Sequence, residues 1–202
     1  MTLTAILTGD LIASTTRPQA VARSMQVLGD AAQAAAGWSD CAPKFTRFRG
    51  DGWQLRVPAG HALRAALLVA ARLRADDALA TRLAIGIGTL DHAGGRDLSD
   101  ASGDAVTASG RALDHMPRGQ VWGIAGKVQP WAGALVALGA WHSARWSREQ
   151  AQAMAAMLAD PDLTQVQAAD RLGITRQAWQ ARLSGAGFAA WQPSLRAFES
   201  GF

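Results

Sequence analysis

Two aspartates stand where two apolar, strand-like runs give out. Asp10 lies in TGDL, Thr8 to Leu11, and Asp51 in GDGW, Gly50 to Trp53. Carboxylates are hard oxygen ligands suited to Mg²⁺ or Mn²⁺. A pair of them on neighbouring strands is one way to hold the metal ions of a nucleotide. Each also has a plainer reading, Asp10 as a helix or turn cap and Asp51 as a residue that favours a hairpin turn. A second constellation lies far downstream in QVQAADRLGITRQAWQARL, Gln165 to Leu183. Ala169 is small where two helices would cross, and Gly173 suits a turn that needs positive φ. Leu172, Ile174, Trp179 and Leu183 are placed to pin the helices together, and Thr175 is a good N-cap. Arg176, Gln177, Gln180 and Arg182 then project from the second helix with no acid among them. Arginine and glutamine make paired hydrogen bonds to guanine and adenine in a DNA major groove. The competing reading is a helical hairpin that only packs or dimerises.

The elements that must position these residues follow from periodicity. Leu3 to Leu7 reads as a buried strand, and Pro18 opens a helix in which Val21, Met25, Leu28 and Ala32 recur at helical spacing. Lys44 to Arg49 and Trp53 to Val57 are short strands around a hairpin turn of Gly50, Asp51 and Gly52. Leu63 to Leu73 is helical and Arg82 to Gly88 a strand. In that strand Leu83, Ile85 and Ile87 share one face, while Ala84, Gly86 and Gly88 leave the other bare for a close neighbour. Gly103 to Leu113 should be a helix and Val121 to Ile124 a strand. The order β-α-β-β-α-β-α-β predicts an α+β, ferredoxin-like domain, an antiparallel-rich sheet with helices on one face. A small all-α unit carries the C-terminal constellation. Val128 to His142 is an apolar linking helix that packs on the first domain or on a second subunit. Ser147 and Gln150 make a capping box for a helix ending near Asp160-Pro161. Gly185 to Gln192 forms a wing or a last packing element, with Phe188 and Trp191 in the core. The expected divisions are 1–126, 127–143 and 144–202.

Composition sets bounds. A chain of 202 residues with 49% hydrophobic and 18% charged residues is a folded protein able to bury a real core. A net charge of +4 permits nucleic-acid binding without demonstrating it. Cys41 is the single cysteine, an inert residue that fits a reducing cytosol. No stretch is long and apolar enough for a membrane span, and the N-terminus lacks the pattern of a signal peptide, so a cytoplasmic protein is expected. His61, His92, His115 and His142 lack metal-ligand spacing, and Ser14 and Ser143 lack a nucleophile-elbow context.

The motif order resembles the cyclase homology domain of class III nucleotidyl cyclases over roughly 1–124. With the C-terminal helix-turn-helix, the chain resembles SatD-like bacterial proteins. The resemblance implies that Asp10 and Asp51 are metal ligands for Mg²⁺ or Mn²⁺ when a nucleoside triphosphate binds. It implies that Arg47, in the place of a base-reading lysine, and Asp100 read a purine edge. In DASGDAVTASGRAL, Asp100 to Leu113, it sets Thr107 where the family carries asparagine and Arg111 at the phosphate-stabilising arginine. Arg111 would be catalytic only in an active cyclase, and whether the chain is an enzyme stays open. Family sites form between subunits, which implies a homodimer.

The leading expectation is a DNA-binding transcriptional regulator whose cyclase-like domain senses a purine or cyclic nucleotide. Its partners are then double-stranded DNA, the nucleotide and a second copy of the chain. The alternative is an active purine nucleotidyl cyclase, or a related condensing enzyme, using two-metal catalysis.

Overall fold

The computed structural model describes residues 2–39, 43–48 and 50–202. Cys41, and Arg49 at the end of an expected strand, lie outside the described residues. Along the chain run β1 (Thr4–Leu11), α1 (Val21–Ala34), β2 (Lys44–Arg47), β3 (Gly52–Pro58), α2 (Ala62–Ala75), β4 (Thr81–Gly88), α3 (Asp104–Asp114) and β5 (Trp122–Gly126). The helices α4 (Pro130–Ser143), α5 (Arg148–Ala159), α6 (Gln165–Arg171), α7 (Arg176–Gly185) and α8 (Phe188–Glu199) follow. The sheet order is β2-β3-β1-β4-β5. β1 pairs antiparallel with β3 and β4, β2 antiparallel with β3, and β5 parallel with β4. The first four strands thus have the split βαβ arrangement expected of an α+β domain. β1 runs past the expected Leu7 because it is paired on both sides up to Asp10.

Strand alternation divides the sheet into two faces. Ala5, Leu7, Leu11, Trp53, Leu55, Val57, Leu83, Ile85 and Ile87 enter one large core with α1 and α2. Gly9 shares that face. A Cβ there would lie 2.7 Å from the Trp53 ring, so the glycine of TGDL makes room for the indole. Trp53 Nε1 in turn donates to Thr81 Oγ1 at 2.9 Å.

The opposite face is not open, which corrects the expectation of helices on one face only. α3 lies directly on β4: a Cβ on Gly86 would stand 2.1 Å from the Ala105 carbonyl oxygen and 2.4 Å from the Ser109 nitrogen. The bare row Ala84, Gly86 and Gly88 is the physical reason, since it admits a helix backbone at contact distance. Ile6, Leu98 and Ala105 form a small apolar cluster on this side.

The expected linking helix is α4, and one core runs through it. Ala132, Val136 and Ala140 of α4, Trp146, Ala151, Met154 and Leu158 at α5, and Trp191, Leu195 and Phe198 of α8 belong to the same cluster as the sheet. The other side of α5 presents Ala153 and Met157 to a separate cluster with Leu163, Ala168, Ala169, Trp179 and Leu183. α5 is therefore a wall shared by two cores. Its start is fixed by the expected capping box of Ser147 and Gln150. The segment after α7 forms the beginning of α8, a packing element with Trp191 buried. Among the described residues, no helix is long and apolar enough to cross a membrane.

Candidate functional site

Asp10 and Asp51 come to the same end of the sheet. Asp10 is paired in register with Gly52, and the Leu11 amide donates to the Asp51 carbonyl at 3.2 Å. Asp10 belongs to the face covered by α3, in the row of Ile6 and Thr8. Both carboxylates are already engaged. Antiparallel register sets Arg82 of β4 opposite Asp10. Its guanidinium grips both carboxylate oxygens, Nε to Oδ1 at 3.0 Å and Nη2 to Oδ2 at 2.6 Å. This hydrogen-bonded partner raises the Arg82 pKa above its ordinary value. The Ser14 hydroxyl, in the turn after β1, donates to Asp51 Oδ2.

The residues present therefore do not fit a two-metal centre in this arrangement. A bidentate arginine takes two of the carboxylate's roughly four acceptor positions and sets a positive charge beside the place a divalent ion would occupy. Among the described residues, no group of three or more His, Cys, Asp or Glu side chains converges to hold a metal ion. Reading the sequence missed Arg82 and Ser14. The available signal was a lone charge of opposite sign at the mouth of the apolar run RLAIGIG, but pairing it with Asp10 needs the β1–β4 register.

The polar groups deeper on the same face are also satisfied internally. Thr8 Oγ1 lies 2.8 Å from Ser109 Oγ and accepts from Gln54 Nε2 at 3.1 Å. The loop between β4 and α3 is tied down over β2. Thr46 Oγ1 accepts from the Leu98 amide at 2.7 Å, and Lys44 Nζ donates to the carbonyls of Gly94 and Gly95 at 2.6 and 2.7 Å.

The expected nucleotide residues are dispersed. Arg47 pairs with Trp53 across β2 and β3, so it belongs to the sheet face opposite Asp10, and its Nε donates to the Gly50 carbonyl at 3.0 Å. Asp100 is exposed in the loop, where it accepts from the Gly95 amide at 3.0 Å and lies 3.1 Å from His92 Nε2. The Gly95 bond, followed by the His92 bond, holds its carboxyl below the usual carboxylate range. Thr107 and Arg111 lie one turn apart on the exposed side of α3, away from the buried Ala105 and Ser109. An apolar cavity of about 240 Å³ opens near Thr81, Trp122 and Ala140, and none of the expected site residues lines it.

The downstream constellation is a pair of short helices. Thr164 caps α6 in a capping box with Gln167, and Thr175 caps α7 by accepting from the Ala178 amide at 3.1 Å. Between them Gly173 has φ 62°, a left-handed conformation that disfavours any side chain. Trp179 is fully buried and Leu183 nearly so, against Ala168 and Ala169. Ile174 packs at the edge of this cluster. Leu172, expected to pin the helices, is instead 41% exposed beside Arg23 and Asp76, because it follows the last turn of α6 on the outer side.

The polar side chains of α7 divide in two. Arg176 and Gln177 are exposed and hold no hydrogen bond or ion pair among the described residues. Gln180 is exposed too, with a long contact of 3.4 Å to Gln165 Oε1. Arg182 is half-buried and donates to Gln152 Oε1 at 3.3 Å, which ties it to α5.

Among solved structures, the chain is similar to a bacterial light-regulated adenylyl cyclase, with 17% identity and a TM-score of 0.42. That similarity covers 72% of this chain and 81% of the other. No protein-family model matches the chain. No curated protein matches it.

Proposed function

We propose that the chain is a DNA-binding transcriptional regulator in which α6 and α7 form a helix-turn-helix and α7 is the recognition helix. The observation that carries this reading is the outer face of α7. Arg176 and Gln177 project, without partners among the described residues, from the first turn of a helix anchored by the fully buried Trp179. Base contacts in such motifs come from the N-terminal residues of the second helix. Thr175, at the N-cap, is placed to meet a phosphate, and Gln180 lies one turn further along the exposed side. Arg182, drawn toward α5, takes a supporting place at the edge. A second copy of the chain would supply the second half-site.

The sheet domain, cyclase-like in its motif order, is the sensing part of this proposal. Thr107 and Arg111 offer a hydroxyl and a guanidinium on the exposed side of α3, where a nucleotide phosphate held between two copies can meet both. Two-metal turnover of a triphosphate is not part of the reading, because Asp10 and Asp51 both have protein partners.

The test is binding of the full chain to a library of genomic fragments at several salt concentrations. Sequence-selective binding that weakens as salt rises is expected. Affinity unchanged by Arg176→Ala combined with Gln177→Ala would remove α7 as the reader. A thermal-shift screen of purine mono-, tri- and cyclic nucleotides tests the sensing half. Stabilisation that survives Arg111→Ala would move the nucleotide elsewhere.

A further inference from the structure

We propose that Arg82 is a built-in counter-ion that takes the place of a divalent cation at Asp10, so that this end of the sheet excludes metal. The argument is geometric. Arg82 and Asp10 are register partners on adjacent central strands, so the ion pair needs no loop movement to form. The two contacts, 3.0 and 2.6 Å, are the parallel fork-to-fork bonds that a planar guanidinium makes with a carboxylate. The side chains keep 42% and 30% of their exposure, so the pair lies at the surface, where an ion would otherwise enter from solvent. The second carboxylate has its own partner, with Asp51 Oδ2 accepting from the Ser14 hydroxyl. A divalent ion must displace a fixed positive charge before it can bind, and would meet that charge again within a few ångströms.

The backbone reinforces the arrangement. The Thr81 hydroxyl, next to Arg82, lies 2.7 Å from the Asp10 carbonyl oxygen and 2.8 Å from the Arg82 carbonyl oxygen, so its one proton is shared between acceptors on the two strands at the level of the pair. Arg82 is thereby a specificity-determining residue. Any phosphate-bearing molecule that this end of the sheet takes, it takes as a free anion and not as a metal chelate. The exclusion of metal holds whether or not a nucleotide binds, so its failure is separable from failure of the sensing reading.

The experiment is titration of the full chain with Mn²⁺ alone, followed by calorimetry and by the loss of free-ion electron-spin signal. The wild type should show no saturable binding into the millimolar range. Arg82→Gln should gain affinity by ~tenfold or more, and the gain should vanish when Asp10→Asn is added. Saturable Mn²⁺ binding by the wild type that Asp10→Asn abolishes would overturn the proposal. So would Arg82→Gln that is folded by circular dichroism yet binds no Mn²⁺. A thermal-unfolding cycle of Arg82→Gln, Asp10→Asn and the double variant gives a readout independent of metal. Each single change should lower Tm and the double change should restore part of the loss; strictly additive losses would show that no such pair exists.

Discussion

The end of the sheet at Asp10 and the outer face of α7 use the same kinds of side chain to opposite ends. At the sheet, Asp10 is held by Arg82, Asp51 by Ser14, Thr8 by Ser109 and Gln54, and Lys44 by loop carbonyls. On α7, Arg176 and Gln177 face solvent, with their donors unspent among the described residues. Both regions carry a claim to ligand chemistry in sequence, and the two differ in how far their polar groups are already used within the chain. At the sheet a guanidinium takes two acceptor positions of the carboxylate, whereas the exposed donors of α7 stand on a helix held by a buried tryptophan.

The contrast can be broken most severely from beneath α7. Trp179→Ala empties the centre of the small core, and a loss of about 3–5 kcal/mol is expected for such a truncation, measured by urea unfolding. Because α5 belongs to both cores, the loss should appear in one cooperative transition; a separate early step would mean that α6 and α7 melt alone. Next in size is Gly86→Val, which drives a side chain into the α3 backbone. A cost of roughly 1–3 kcal/mol is expected from overpacking of this kind. Loss of the Thr8–Ser109 contact should accompany it, read by amide exchange across α3.

The open side of the comparison is sharpened by Arg176→Ala. Stability should stay within about 0.5 kcal/mol of wild type, as for other exposed positions. DNA affinity should fall by ~tenfold or more if a bidentate base contact is lost. A fall in stability instead would show that the arginine has a structural partner.

The smallest effect concerns a surface ion pair. Arg23 donates to both oxygens of Asp76 at 2.6 and 2.7 Å. This hydrogen bonding holds the Asp76 carboxyl below its ordinary value of 3.8. A depressed folded pKa stabilises above the unfolded value, and that gain is lost as acidification passes through the folded value. Asp76→Asn should therefore lower Tm slightly at neutral pH, and the difference should close in strong acid. Solvent screening keeps this contribution small, and a difference that widened in acid would contradict the assignment.

Much of the fold was legible because local chemistry marks its boundaries. The capping box at Ser147, the N-cap at Thr175, the turn at Gly173 and the alternation of RLAIGIG all act within a few residues of themselves. The site was less legible because its decisive facts are pairings between strands. That Arg82 stands against Asp10, and that Arg47 shares the Trp53 face, depend on register, which no single segment records. The second layer of helix was half visible. The bare row Ala84, Gly86 and Gly88 announced a close neighbour, but not that α3 would be that neighbour. Leu172 was misplaced because an apolar residue just past a helix can turn either way, and only its neighbours decide.

α5 deserves to be seen as a mechanical part. Met154 bears on the sheet side and Ala153 and Met157 on the Trp179 side, so its two flanks are gripped at the same level. Such a helix cannot roll to suit one neighbour without displacing the other. If packing on one flank constrains the other, shortening Met154 to alanine should change the exchange rates of the α7 amides; unchanged rates would show that the second core does not feel the first. The same helix thus carries packing for both cores of the molecule.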